Sequence, residues 1–353
     1  MALIDLGSDT ATVPSAAMLA AIQTAALGDE QKGEDPTTSA LEERVAALLG
    51  KERALALPSA TMANQIALAL HVEAGGEIIA HRSAHVVHYE GGGTALIARA
   101  QPYVLDTPRG VFTADDVNAA IRADDPHHPR SQCVVVENTS NGGGGTPWPL
   151  DVLDDVYALC AARGIAVHVD GARLWHAAVA QEVPVSRLVH GATTVQVCFS
   201  KGLGCPFGAV LALPSSLWPR ARRLKQALGG ALRQSGVMTA TMTYALDHHL
   251  PRLGEDHRRA RQLAAALQTL PHVDVEPVST NLVFFSVPEP TSFIAALHAR
   301  DVRVSAVSST VSPGPVRLRA CLHRDVDDDA LARAIAAFSA VAQASPSSPS
   351  RLR

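Results

Sequence analysis

Near-continuous apolar runs alternate with amphipathic stretches over the first two thirds of the chain. The apolar runs predict strands at residues 78–80, 133–136, 165–169, 195–199 and 209–213. The amphipathic stretches predict helices near residues 63–73, 113–122, 150–163 and 218–228. Apolar strands that alternate with helices are typical of a mostly parallel sheet with helices on both faces. The pattern therefore predicts an α/β fold.

A less regular pattern precedes these elements. Residues 1–36 are predicted to form an N-terminal arm, with a helix near residues 16–26 and an acidic loop that ends at Pro36. The segment Ser39-Ala-Leu-Glu42 has the spacing of a capping box and predicts the start of the next helix. Gly50 predicts the end of that helix, because glycine readily adopts the left-handed conformation that closes many helices.

The pattern changes again after about residue 250. A long helix at 257–270, strands at 281–287 and 302–304, and a final helix at 328–342 indicate a smaller α+β domain. We therefore expect a large domain at 37–250 and a small domain at 251–342. The tail at 343–353 is rich in Ser and Pro and is predicted to be disordered, since it buries too little apolar surface.

Composition restricts the class of protein. The chain has 353 residues, of which 47% are hydrophobic and 18% charged, as in globular proteins with a sizeable core. A net charge of -4 gives no electrostatic basis for binding nucleic acid or an anionic membrane. The sequence predicts neither a signal peptide nor a membrane span. Five scattered cysteines predict reduced thiols in a cytoplasmic protein, and the histidines lack the compact spacing of a metal site.

A lysine and an aspartate follow two successive apolar runs. Lys201 stands after the run at 195–199, and Asp170 ends the run at 165–169. A lysine can hold an aldehyde cofactor as a Schiff base, while an aspartate can pair with a protonated ring nitrogen. Taken singly, each residue is better explained as an ordinary loop or turn residue. Together, in this order, they predict pyridoxal 5′-phosphate (PLP) as the cofactor.

Two further segments offer groups for such a cofactor. Ala60 and Thr61 begin a predicted helix, where free backbone amides and the Thr61 hydroxyl suit a phosphate, although an ordinary helix cap has the same residues. His85 could stack on a flat ring, and His88 or Tyr89 could face a substrate. The glycine run at 142–145 lacks the Lys-Ser/Thr of a Walker loop and indicates a tight turn at the rim of a site.

Arginines supply candidate sites for a carboxylate. Arg173 follows Asp170 by three residues, and its planar guanidinium suits a bidentate clamp. Arg317 and Arg319 are one strand alternation apart, so both are expected on one face, and either could supply a second clamp. Solvent-exposed strand residues remain the alternative for this pair.

These motifs together resemble those of the L-threonine aldolases, which belong to the β-eliminating-lyase-like enzymes of PLP fold type I. The resemblance runs from about residue 3 to about residue 330 and keeps the order of the motifs. It implies an aspartate-aminotransferase-like large domain and a small C-terminal α+β domain. The matching segments are Asp5-Leu-Gly-Ser-Asp-Thr10, Gly33-Glu-Asp-Pro-Thr37, Ser59-Ala-Thr-Met-Ala-Asn-Gln65, His85-Val-Val-His-Tyr-Glu90, Glu137-Asn-Thr139, His168-Val-Asp-Gly-Ala-Arg173, Ser200-Lys-Gly-Leu-Gly204 and Gly229-Gly-Ala-Leu-Arg-Gln-Ser-Gly236.

The resemblance implies a role for each matching residue. Lys201 would carry the cofactor, Asp170 would pair with its ring nitrogen, and His85 would stack on the ring. The substrate carboxylate would be held by Ser8, Arg173 and Arg319. His127 matches the family's second active-site histidine, and Arg233 lies in a motif that reaches the cofactor phosphate region. Family members are dimers or tetramers whose active sites are built between subunits, which implies a homo-oligomer.

Five positions depart from the family's pattern. Gly7 and Val13 stand where arginines are usual, and Lys32 replaces a tyrosine near the neighbouring subunit's site. Ala60 replaces the glycine of the phosphate loop, and Ser140 replaces a histidine. The cofactor residues are kept, whereas the substrate side and the subunit edge have changed. Threonine is therefore not assured as the preferred substrate.

The resemblance implies a PLP-dependent aldolase that cleaves the Cα–Cβ bond of β-hydroxy-α-amino acids such as threonine or allo-threonine, giving glycine and an aldehyde. His85 and His127 are the candidate bases, because imidazole titrates near neutral pH. A β-eliminating lyase or an amino-acid racemase on the same scaffold is the first alternative, and the two histidines favour the aldolase. A catalytically silent PLP-binding protein is the second, and intact Lys201, Asp170 and Arg173 argue against it.

Overall fold

A sheet of seven strands forms the centre of the larger part of the molecule. The computed structural model describes residues 3–307 and 316–344. The strand order is β2-β8-β7-β6-β5-β3-β4, in which β8 runs antiparallel to both neighbours and the other pairs are parallel. The strands are β2 (Arg53–Leu57), β3 (Glu77–His81), β4 (Gln101–Leu105), β5 (Ser131–Glu137), β6 (Ala166–Gly171), β7 (Thr194–Cys198) and β8 (Ala209–Leu213), after a short β1 (Ile4–Asp5).

Helices cover both faces of this sheet. In β2, Ala54 and Ala56 pack into one apolar core, and Leu55 and Leu57 pack into another on the opposite face. This alternation follows from the two-residue period of a strand. The helices of this part are α1 (Ala16–Gln23), α2 (Pro36–Leu49), α3 (Ala60–His71), α4 (His85–His88), α5 (Gly93–Leu96), α6 (Ala114–Ala120), α7 (Leu150–Arg163), α8 (Leu174–Gln181), α9 (Val185–Val189), α10 (Trp218–Ala227) and α11 (Gly236–His248).

The C-terminal part has its own four-stranded antiparallel sheet, in the order β12-β13-β10-β9. The N-terminal segment joins it, because β1 pairs with β11 and Leu6 is buried in the same core. The elements are α12 (Leu253–Gln268), β9 (Asp274–Val275), β10 (Leu282–Ser286), α13 (Pro290–His298), β11 (Val302–Arg303), β12 (Ser305–Ala306), β13 (Leu318–Cys321) and α14 (Asp328–Ala344). No helix in the described ranges is long and apolar enough to cross a membrane.

Most of the predicted elements are present, with shifted ends. The apolar runs of the large sheet form β3, β5, β6, β7 and β8, which confirms the mostly parallel sheet. The arm helix is shorter than predicted and ends at Gln23, whereas α14 continues two residues beyond its predicted end. The tail prediction from residue 345 onward lies outside the described residues. The pattern missed β4, because this edge strand is largely exposed and lacks an apolar run.

The predicted capping box at Ser39 is wrong. Helix α2 begins three residues earlier, at Pro36, and the carboxylate of Asp35 caps it by accepting from the backbone N–H of Thr38 at 2.9 Å. Proline favours the first helical position, since its ring fixes a helical φ and its missing N–H is not needed there. The Asp35-Pro36 pair therefore sets the helix start, and Ser39 lies inside the first turns. Gly50 ends the helix in the left-handed conformation, as predicted.

Candidate active site

The carboxyl ends of three neighbouring parallel strands bring the candidate catalytic residues to one edge of the sheet. Glu137 ends β5, Asp170 lies near the end of β6, and Lys201 follows β7 by three residues. Ligands of open α/β sheets bind at this edge, outside the carboxyl ends of the strands. A cavity of about 380 Å³ opens here. Its lining residues are Ser8, Thr10, His85, Tyr89, Glu137, Thr139, Asn141, Ala172, Arg173, Lys201, Ser305, Ala306, Val307 and Arg319.

Asp170 is a buried carboxylate that forms no salt bridge with a described residue. Its side chain accepts from Asn64 Nδ2 at 2.9 Å and from the backbone N–H of Ala172 at 3.1 Å. The residue is only 2% exposed, and within the described part of the chain it makes no ion pair. A buried charge is costly unless an opposite charge compensates it. The arrangement is suited to a positively charged group of a ligand.

His85 is held by a second buried carboxylate. Its Nδ1 lies 2.9 Å from Glu90 Oε1, and the side chain of Glu90 is fully buried. Asn64 Nδ2 donates to Glu90 Oε1 at 2.7 Å as well as to Asp170, so the amide links the two carboxylates. Gln65 Nε2 donates to the other oxygen of Glu90 at 2.5 Å. The network fixes the imidazole ring at the cavity wall.

The charges around His85 change its pKa. Burial lowers the pKa of the imidazole, but the hydrogen bond to Glu90 and the charges of Asp170, Glu90 and Glu137 outweigh it, so the pKa is raised. Burial and the nearby charge of Asp170 likewise raise the pKa of Glu137. One ligand atom from each of His85, Glu90 and Asp170 lies within 4.8 Å of the others. One oxygen of Glu90 and one of Asp170 already accept hydrogen bonds from Asn64, so the two carboxylates are held in place by an internal donor.

Arg173 forms a buried ion pair with Asp9. Its Nε and Nη2 donate to the two carboxylate oxygens of Asp9, each at 2.7 Å, and the guanidinium is 5% exposed. Burial by itself would raise the pKa of Asp9, but the charge and hydrogen bonds of Arg173 outweigh it and hold the pKa well below its usual range. The remaining Nη1 of Arg173 donates to Asn141 Oδ1 at 3.2 Å. Two of the three guanidinium nitrogens of Arg173, Nε and Nη2, are therefore bound to Asp9, which fixes the orientation of the side chain.

Arg319 reaches the same place from the small sheet. It lies on β13, and its Nη1 donates to Asn141 Oδ1 at 3.0 Å, while Nη2 donates to the backbone oxygen of Gly7 at 2.7 Å. Its Nε is buried without a hydrogen-bond partner among the described residues. Burial lowers the pKa of this guanidinium. The two arginines of the predicted carboxylate clamp thus converge on one oxygen atom.

The start of α3 lies at the same edge of the sheet. Ser59 caps this helix through its hydroxyl, which accepts from the backbone N–H of Met62 at 3.2 Å. The first amides of a helix have no intrahelical acceptor, so those of Ala60 and Thr61 are available to an anion. Neither residue lines the cavity itself.

The structure does not bring His127 or Arg233 to this cavity within one chain. His127 lies in the loop before β5, at the amino end of the strand, and its side chain is 88% exposed beside Asp125. The cavity is at the carboxyl end, so His127 lies at the other end of the strand within one chain, and its role as a second active-site histidine stays a prediction. Arg233 is exposed and pairs with Asp29 at 3.1 Å. Both residues were predicted from short motifs. A motif does not specify at which end of the sheet its residues lie.

Arg317 and Arg319 do lie on one face, but only Arg319 lines the site. Arg317 donates to both oxygens of Glu276 and, through Nη1, to the backbone oxygen of Gly142 at 2.8 Å. The two arginines therefore contact consecutive residues of one loop, Asn141 and Gly142. Neither is a plain solvent-exposed strand residue, since both are half-buried.

Five contributors to the site were missed in the sequence: Asp9, Asn64, Glu90, Glu137 and Asn141. Each lies in or directly beside a motif that had been quoted for the resemblance. Asp9 and Glu90 could have been predicted from their neighbours in the sequence. Asp9 shares a motif with the predicted carboxylate-binding residue Ser8, and Glu90 shares one with the predicted ring-stacking residue His85. Their partners are far away in sequence, however, and only the fold pairs Asp9 with Arg173 across 164 positions.

The residues present fit PLP. Asp170 offers a buried carboxylate for a protonated ring nitrogen, within 4.8 Å of a ring nitrogen of His85. Lys201 and His85 both line the cavity. Asn138, next to the lining residues Glu137 and Thr139, has a buried side-chain Nδ2 without a hydrogen-bond partner among the described residues. Free amides at the start of α3 suit a phosphate. This donor set matches the groups of the cofactor.

Comparison with known proteins gives the same family. Residues 5–290 match the model of the beta-eliminating lyase family. The low specificity L-threonine aldolase of Escherichia coli K12 is 37% identical over 95% of this chain and 98% of its own length. The solved Leishmania major threonine aldolase has a TM-score of 0.83 at 20% identity, covering 96% of this chain and 99% of that one.

The fold extends to other PLP enzymes. The aspartate aminotransferase of Rhizobium meliloti has a TM-score of 0.71 at 16% identity, covering 97% of this chain and 92% of that one. At this identity the likeness shows the fold alone, and it confirms the predicted fold type I architecture. The extent of the family match and the identity with the bacterial enzyme settle the family. The chain belongs to the beta-eliminating lyase family and groups with its low-specificity L-threonine aldolases.

Proposed function

We propose that this protein is a PLP-dependent aldolase that cleaves β-hydroxy-α-amino acids, threonine and allo-threonine among them, to glycine and an aldehyde. The observation that carries the proposal is the arrangement around one cavity. The cavity is lined by Lys201, the imidazole of His85 and the guanidiniums of Arg173 and Arg319. The buried carboxylate of Asp170 lies behind this wall, within 4.8 Å of a ring nitrogen of His85. These groups supply what the reaction needs for cofactor, base and carboxylate.

The cofactor, when bound, supplies an electron sink for the carbanion left by bond cleavage. Lys201 would hold it and Asp170 would keep its ring nitrogen protonated. The side chains of the protein would then contribute by orienting the substrate. Arg173 and Arg319 hold the substrate carboxylate at one side of the cavity, and this fixes which bond at Cα is directed for cleavage. The ion pair with Asp9 keeps Arg173 in place while it does so.

His85 is the proposed base for the β-hydroxyl proton. Because Nδ1 faces Glu90, the proton of a neutral imidazole resides on Nδ1, which leaves Nε2 as the acceptor. Nε2 would take the proton of the hydroxyl as the Cα–Cβ bond breaks. Positioned general bases of this kind typically contribute about 10²–10⁴ in rate.

We also propose a homo-oligomer, a dimer or tetramer, in the cytoplasm. Support for association comes from an open, mostly apolar groove of about 460 Å³ between α1, α2 and α11. Contiguous exposed apolar surface of this kind is typical of contacts between proteins. Support for a reducing compartment comes from the cysteines, all five of which are buried as free thiols.

The cofactor part of the proposal is tested with Lys201→Ala. We expect the purified variant to lose the visible absorbance of bound PLP and all turnover, while it remains folded. Lys51→Ala is the matched control, since Lys51 precedes β2 at the opposite end of the sheet; it should keep both. Retention of the absorbance and of turnover in the Lys201 variant would overturn the proposal.

A further inference from the structure

One oxygen atom occupies the point where the two arginines of the cavity meet. Asn141 Oδ1 accepts from Arg173 Nη1 at 3.2 Å and from Arg319 Nη1 at 3.0 Å. A guanidinium has donors only, so the side-chain oxygen of Asn141, not its NH₂ group, must face both. The backbone N–H of Asn141 donates to Glu137 Oε1 at 2.7 Å, which ties the residue to the end of β5.

The other nitrogens of the two arginines are hydrogen-bonded elsewhere, apart from Arg319 Nε, which is buried without a partner among the described residues. Arg173 uses Nε and Nη2 for Asp9, and Arg319 uses Nη2 for the backbone oxygen of Gly7. The Nη1 atoms are therefore the donors through which this pair contacts Asn141 in the cavity. A substrate carboxylate held by both arginines needs the same two donors. The amide oxygen of Asn141 and the carboxylate compete for one position.

The negative charge of a carboxylate favours it over the neutral amide oxygen of Asn141. Two guanidiniums lie at the site, and Asp9 compensates one of them. Arg319 makes its hydrogen bonds with two neutral acceptors, the side chain of Asn141 and the backbone of Gly7, and in the described residues it has no carboxylate partner. Hydrogen bonds to an ionised acceptor are roughly twice as strong as neutral ones. An entering carboxylate therefore replaces the amide, whereas a neutral ligand gains no such advantage.

We propose that Asn141 is a selectivity residue that holds the carboxylate position in the empty site and is displaced from it by the carboxylate of the substrate. The inference rests on the proposed function, since it names how that site admits its substrate class. The displaced amide lowers apparent affinity, because part of the binding energy is spent on moving it. In the empty site Asn141 gives the two partly buried Nη1 donors an acceptor. Leaving these donors unpaired would cost free energy.

The proposal predicts effects of opposite sign for two substitutions at one position. Asn141→Ala removes the competing oxygen, so carboxylates should bind more tightly, by about threefold to tenfold if one ordinary hydrogen bond is involved. Asn141→Asp places a permanent carboxylate between the arginines, so binding should weaken by more than about tenfold. Asn118→Ala is the matched control. Asn118 also accepts from an arginine, Arg163, at 2.7 Å, but on the surface, and binding should not change.

The experiment is calorimetric titration of each PLP-loaded protein with 3-hydroxybutanoate, which has the carboxylate and the β-hydroxyl of threonine but no amine. KM for L-threonine is measured alongside and should move in the same direction. Since the probe cannot react with the cofactor, failure of the aldolase proposal would leave the binding result intact. Weaker or unchanged binding in Asn141→Ala, or unchanged binding in Asn141→Asp, would overturn the inference.

Discussion

The carboxylate of Glu90 lies 2.9 Å from Nδ1 of His85 and is itself fully buried. This pair links the proposed base to the cofactor side of the cavity, because Asn64 donates to Glu90 and to Asp170. Glu90 does not line the cavity, so it would act on the reaction through His85. It is a positioning residue that fixes the ring and keeps the proton on Nδ1.

Replacing Glu90 by Gln should shift the pH dependence of the reaction. Glu90 raises the pKa of His85, and the base must be neutral to accept a proton. Wild-type kcat/KM therefore rises with pH through this raised pKa, and in Glu90→Gln the rise should move to lower pH. The plateau should fall, since the ring is less well oriented. Glu43→Gln on the exposed side of α2 is the control. An unmoved pH profile with an unchanged plateau would remove Glu90 from the account.

His85 and His127 can be separated by parallel substitutions. His85→Asn should lower kcat by about 10²–10⁴ while PLP remains bound, because the general base is lost. His127→Asn should leave kcat unchanged, since His127 is exposed at the opposite end of β5. Steady-state kinetics and the cofactor absorbance of both variants decide this. A loss confined to His127→Asn would transfer the base to that residue, supplied by a neighbouring chain.

Asp9→Asn should destabilise the protein as well as impair substrate binding. Removing one partner of a buried ion pair leaves the charge of Arg173 uncompensated, which typically costs about 3–5 kcal/mol. The pKa of Asp9 is lowered in the folded state, so its stabilisation is present above the unfolded carboxyl pKa of about 3.9 and is lost as pH falls below it. The difference in unfolding free energy should therefore be full at pH 7 and shrink in acid.

Urea unfolding at several pH values measures this difference. Asp154→Asn is the control: Asp154 also forms a bidentate pair, with Arg187, but that pair is exposed and screened by solvent, so its loss should be much smaller. Equal unfolding midpoints for wild type and Asp9→Asn at pH 7 would show that the Arg173 pair does not stabilise the fold.

Local patterns were sufficient to predict the sheet and the cofactor residues. Asp170 and Lys201 directly follow apolar runs, and the ends of parallel strands must meet at one edge, so their proximity follows from the pattern. The start of α2 shows the limit of such patterns. Two capping signals stood within a few residues, and the Asp35-Pro36 pair prevailed because proline fixes the first helical turn.

Contacts across long separations could not be predicted from the sequence. Asn64 meets Asp170, Asp9 meets Arg173, and Asn141 meets Arg319 only because different strands and helices converge on one cavity. The position of His127 relative to the cavity could not be predicted for the same reason. A motif gives the order of residues along the chain, and the position of the loop relative to β5 is a property of the fold.

The central claim is the cleavage of a Cα–Cβ bond, and the most direct test is a product assay. The PLP-supplemented protein is incubated separately with L-threonine, L-allo-threonine, phenylserine and L-serine, and glycine and the matching aldehyde are quantified, with Lys201→Ala as the inactive control. We expect glycine and aldehyde in equal amounts from at least one substrate. A spectral change on adding amino acid with no glycine formed, accompanied by keto acid or racemised substrate, would contradict the aldolase and assign this site to elimination or racemisation.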